Sequence, residues 1–122
     1  SEGVLPGLPQ LSRENFKAWT PNYAAPELLE GGPFSMATDV YAVACVLFEM
    51  ASGKHPFQRL NALEARDKKL NRQLKKPKQL PKICWPALHT ALAFNPKKRT
   101  MNAAALRDSF RAAPPAKSWL WF

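Results

Sequence analysis

A chain of 122 residues that is 46% apolar is one small domain or a piece of a larger one, with enough for a core and too apolar to be a disordered segment. The formal net charge of +9 reads either as solvated helix faces and loops or as a surface for an anion, while Cys45 and Cys84 lack metal-ligand spacing, so no metal site is expected. No run of 18 apolar residues crosses the chain and nothing asks for an oxidising compartment, so a cytoplasmic location is the expectation.

Residues 1–26 carry Gly3, Pro6, Gly7, Pro9, Pro21 and Pro26 and read as an extended arm. A loop of that length is more often functional, or the cut end of a longer chain. Ser12 on this arm is a candidate phosphorylation site that would order it through basic partners. The stretch "TPNYAAPELL", Thr20 to Leu29, sets two prolines before a helix start. Proline fixes φ and disfavours helix at the preceding residue, so the entry is held extended. A short helix over 27–31 follows, with Glu27 near the positive end of its dipole and Gly31-Gly32 ending it.

Residues 39–52, "DVYAVACVLFEMAS", form the strongest predicted element. Asp39 is the expected N-cap, with Thr38 as the alternative, and Gly53 fits the position past the C-terminus. Apolar residues fall on every face, which predicts a central buried helix. With Asp39 and Glu49 inside it, the segment is too short and too charged to span a bilayer. Its valines would also suit a buried strand, but length and caps favour a helix. "GKHPF" is a turn anchored by Phe57, and neither His55 nor His89 stands in a catalytic pair.

Residues 61–75 read as an amphipathic helix with Leu63, Ala65, Leu70 and Leu74 inward. The basic run from Arg66 to Lys82 reads either as a solvated face or as a surface for an anion. No aromatic residue interleaves with it, which speaks against nucleic acid. Pro77, Pro81 and Pro86 break up a linker. A helix over 86–94 ends at Asn95-Pro96, and Thr100 caps a last helix, 101–112, with Met101, Ala105, Leu106 and Phe110 inward. The tail "AKSWLWF" after Pro114-Pro115 has two readings: aromatics packed on the domain, or a membrane-interface belt. The predicted fold is mainly α: several helices around one buried helix, with an extended N-terminal arm.

Taken in order, these segments resemble the C-terminal lobe of eukaryotic-type Ser/Thr protein kinases. "TPNYAAPE" is similar to the end of the family's activation segment, with Ala25, Pro26 and Glu27 as its Ala-Pro-Glu. "DVYAVACVLFEMASGKHPF" is similar to the buried helix after it, and "NPKKRT" to the family's Asp-Pro-x-x-Arg-Pro turn, with Arg99 as the arginine. Trp19, Ala44, Asn95 and Thr100 depart from the family's usual residues. The resemblance covers about residues 18–112. It implies an activation-segment arm over 1–26, a helical lobe over 27–112 and a Pro-rich, aromatic tail over 113–122.

The resemblance assigns roles residue by residue. Thr20, Pro21 and Tyr23 take the substrate-binding positions of a peptide-docking platform, where the Thr20 hydroxyl would reach the catalytic groups. Thr at that position resembles Ser/Thr rather than tyrosine kinases. Glu27 and Arg99 would form a buried ion pair, and Asp39 would orient the catalytic loop. The glycine-rich phosphate loop, strand lysine, His-Arg-Asp and Asp-Phe-Gly motifs do not occur in these 122 residues. No catalytic residue and no bound cofactor are therefore expected in this chain, and ATP and Mg²⁺ would serve a longer parent. The expected partners are the missing N-terminal part, a Ser/Thr protein substrate, and a second copy through an exposed lobe face or arm exchange. Membrane attachment beyond Phe122, on the cytoplasmic side, is a further expectation. The alternative function is a non-catalytic, pseudokinase-like module that recruits an acidic partner.

Overall fold

The computed structural model describes residues 21–99 and 102–111. A 3-10 turn at Pro21–Tyr23 leads into α1 (Pro26–Leu29), then α2 (Met36–Ser52) and α3 (Ala62–Asp67). Two more 3-10 turns, Leu70–Gln73 and Lys82–Cys84, carry the chain to α4 (Trp85–Ala91). A turn at Pro96–Lys98 precedes α5 (Ala103–Arg111), and no strand forms among the described residues. The mainly α architecture expected from the sequence is the one found. The arm before Pro21 and the tail after Arg111, with Ser12, Thr20 and the tail tryptophans, lie outside the described residues, as do Thr100 and Met101.

Helix α2 is the axis against which α4, α5 and the Pro21–Tyr23 turn pack. It begins three residues before the expected start. Ser35 is extended, and its Oγ accepts the Thr38 amide at 3.2 Å, so Ser35 rather than Asp39 is the N-cap. Asp39 stands instead in the first turn, where a carboxylate faces the positive dipole end. At the other end Gly53 closes the helix at φ 81, its amide donating to the Glu49 carbonyl at 2.7 Å. Val40, Tyr41, Ala44, Cys45, Phe48 and Ala51 are buried. The helix is not enclosed all round, however: Val46 and Met50 are 45% and 43% exposed.

The predicted helix over 61–75 is broken. Asn61 and Glu64 form a reciprocal capping box that starts α3. Lys69 then turns left-handed at φ 54 and ends it. Leu70 and Leu74 still pack on the core from the 3-10 turn and its exit. Pro86 sits in the first turn of α4, where its missing N–H costs nothing. Asn102 supplies the start of α5, its Oδ1 accepting the Ala105 amide at 2.8 Å. Leu80, Leu88, Leu92 and Leu106 join the α2 face and Phe57 in one core.

Candidate functional site

Local sequence rules set the entry to α1. Ala25 is extended at φ −66, ψ 155, and Pro26 takes the first helical position. Ala24, Ala25 and Leu28 are fully buried, so this short helix is a docked element rather than a surface turn. Its end is drawn tight by the Gly32 amide, which donates to the Glu27 carbonyl at 2.8 Å. A Cβ at Gly32 would lie 2.8 Å from that same oxygen, so only glycine fits.

Glu27 meets Arg99 from the far end of the chain. Arg99 Nη1 and Nη2 donate to the two carboxylate oxygens at 2.6 and 2.9 Å, a bidentate pair. The Arg99 side chain is fully buried and that of Glu27 is 20% exposed. The remaining donors go to backbone: Nε to the Ala93 carbonyl at 2.7 Å, Nη1 to Ala37 at 2.9 Å and Nη2 to Phe94 at 3.2 Å. The guanidinium also lies 5.1 Å from the centre of the Tyr41 ring. The Thr38 hydroxyl donates to Glu27 Oε2 at 3.0 Å. Burial alone would raise the Glu27 pKa, but the Arg99 hydrogen bonds and charge, the backbone and Thr38 outweigh it and hold the carboxyl below its ordinary value. One arginine thus joins α1, the start of α2 and the exit of α4.

A second set of contacts holds the Pro21–Tyr23 turn. The Tyr23 hydroxyl donates to Glu49 Oε1 on α2 at 2.5 Å, and that bond, with burial, pushes the phenol up to about 12. His55 Nε2 lies 2.6 Å from the Asn22 carbonyl, and its Nδ1 accepts the Phe57 amide at 3.0 Å. That pattern fixes the neutral ring with the proton on Nε2. Burial holds the His55 pKa below its ordinary value, against the opposing Asn22 bond. The Tyr23 and His55 rings meet edge to face at 5.3 Å. Beside them a cavity of about 570 Å³ opens along α2, lined by Tyr23, Val46, Glu49, Met50 and Gln79 among others.

The structure brings Glu27 and Arg99 together, with Ala25 and Pro26 buried immediately before Glu27 in the chain. Tyr23 lies at the second anchor, on the same chain segment as Pro21, and Asp39 is half-buried on α2. Sequence reasoning did not assign Thr38, Glu49 or His55 to the site. Their partners are 11, 26 and 33 residues away, and no local pattern marks such pairs. No group of three His, Cys, Asp or Glu side chains that could hold a metal occurs among the described residues. No helix among the described residues is long and apolar enough to cross a membrane.

The family model of the protein kinase domain matches residues 8–111. The Streptomyces coelicolor serine/threonine-protein kinase PkaA is 35% identical over 91 residues, covering 75% of this chain and 17% of that protein. Sgk1, a serine/threonine-protein kinase of Rattus norvegicus, is 37% identical over 89 residues, covering 73% of this chain and 20% of its own length. The probable serine/threonine-protein kinase pdkA of Dictyostelium discoideum is 27% identical over 116 residues, 93% of this chain and 17% of that protein. The chain therefore spans about a fifth or less of these relatives.

Proposed function

The chain belongs to the protein kinase domain family, and from that premise we propose that it is the peptide-docking part of a Ser/Thr protein kinase. In this reading the full-length protein transfers the γ-phosphate of ATP to Ser or Thr of a protein substrate. The residues described here position the substrate rather than perform the chemistry. The observation that carries the reading is the bidentate Glu27–Arg99 pair, with its three carbonyl contacts, at the foot of the "TPNYAAPE" segment.

Phosphoryl transfer depends on positioning and charge neutralisation, so a docking platform must not drift. Arg99 pins the α1 end of the platform. Tyr23 with Glu49, and His55 with Asn22, pin the end nearer Thr20. A substrate segment would lie along Thr20, Pro21 and Tyr23. The family implies ATP and Mg²⁺ for the full-length protein.

The test is transfer of labelled γ-phosphate from ATP to a mixed Ser/Thr/Tyr peptide pool by the full-length protein. Label on phosphoserine and phosphothreonine, lowered about tenfold or more in kcat/KM for peptide by Arg99→Ala, is expected. Absence of ATP-dependent labelling, or label on tyrosine alone, would overturn the proposal.

A further inference from the structure

Between Asp67 and Asp108 the sequence contains no acidic residue. Within that interval Lys68, Lys69, Arg72, Lys75, Lys78 and Lys82 are exposed, and none forms an ion pair among the described residues. Lys76 differs from them. Its Nζ donates to the Pro77 and Leu80 carbonyls at 2.9 and 2.7 Å, so it shapes the loop. The acids on the adjoining helix do little to offset the run. Glu64 is engaged in the α3 capping box, and the charge of Asp67 acts on its neighbour Arg66.

Three of these cations, Lys69, Arg72 and Lys75, are chain neighbours of residues that line a groove of about 410 Å³ between the Pro56–Leu60 stretch and the Leu70–Gln73 turn. Phe57, Leu60, Leu70 and Leu74 give it an apolar lining, and exposed Arg59 also lines it. In the chain, Lys69 immediately precedes Leu70, Arg72 stands between the two leucines, and Lys75 immediately follows Leu74.

We infer that this groove is a docking surface for an acidic protein segment bearing an apolar anchor, distinct from the Thr20–Tyr23 platform. Like charges crowded on one surface repel each other, and an acidic segment relieves that repulsion while being steered in by the field. The apolar lining adds what charge alone lacks, a pocket for an aliphatic or aromatic side chain. Nucleic acid fits less well, because no aromatic side chain in the 68–82 run offers a base a stacking face. A lipid surface is flat, whereas the leucines line a recess. The inference does not depend on the proposed phosphotransfer.

The test is fluorescence anisotropy of a labelled polyglutamate peptide with a central Leu-Phe pair, titrated with the full-length protein. The triple reversal Arg59→Glu, Lys69→Glu and Lys75→Glu changes only exposed side chains and is expected to weaken binding about tenfold or more. A charge-matched reversal elsewhere, Lys97→Glu, Lys98→Glu and Arg111→Glu, is expected to change it less than about twofold. Replacing Leu-Phe by Gly-Gly in the peptide should cost about fivefold or more. Equal losses from both reversals, equal binding of the Gly-Gly peptide, or tighter binding of single-stranded DNA or phosphatidylserine vesicles would each overturn the inference.

Discussion

Arg99 uses its guanidinium to the full, with two donors on Glu27 and three on the carbonyls of Ala37, Ala93 and Phe94. Removing the side chain leaves a largely buried carboxylate and three carbonyls without their donor. Arg99→Ala should therefore cost about 3–5 kcal/mol in urea unfolding. Arg99→Lys should recover little of it, because an ammonium cannot form the planar fork. Two groups also set the acid limb of stability. Burial holds the His55 pKa below the ordinary imidazole value of 6.5, so its contribution is complete above pH 6.5 and declines as pH falls through the lower folded value. The Glu27 pKa is held below the ordinary carboxyl value of 4.5, so its contribution is complete above pH 4.5 and is lost at lower pH. Urea midpoints measured across pH should show a first loss below pH 6.5 that His55→Gln flattens and a second below 4.5 that remains. A His55→Gln profile parallel to wild type would contradict the His55 assignment.

Caps and close approaches govern the elements. Ser35→Ala removes the acceptor for the Thr38 amide and should cost about 1 kcal/mol by thermal or urea unfolding, whereas Asp39→Ala should cost less. Gly32→Ala should cost more than Ser35→Ala, because its Cβ would be driven into the Glu27 carbonyl beneath the ion pair. Much of this level was legible from spacing. The apolar run, Gly53 and the Pro26 entry locate α1 and the body of α2. The start of α2 was not legible, because Thr38 and Asp39 are both good capping types. Tertiary partners make the choice: Thr38 is drawn to Glu27 and the Ala37 carbonyl to Arg99, 62 residues away. The break at Lys69 had no signal either, since neither glycine, proline nor asparagine marks that left-handed turn. In the site, the Glu27–Arg99 pair was legible only through the family resemblance. The Tyr23–Glu49 and His55–Asn22 bonds join positions whose proximity exists only in the fold.

In the whole molecule, one pair of side chains links the segment before α2 to the segment before α5 across 72 positions of sequence. The platform proposed to bind substrate is then as rigid as that link. Native-state hydrogen exchange reads this directly, through the Leu28, Leu29, Glu30 and Gly32 amides bonded within and just after α1. The Gly53 amide, bonded to Glu49 at the far end of α2, serves as the internal reference. In Arg99→Ala the α1 amides should exchange about tenfold or more faster relative to Gly53 than they do in wild type. Exchange at α1 that is unchanged, or that quickens only in step with Gly53, would contradict the account that Arg99 pins the platform.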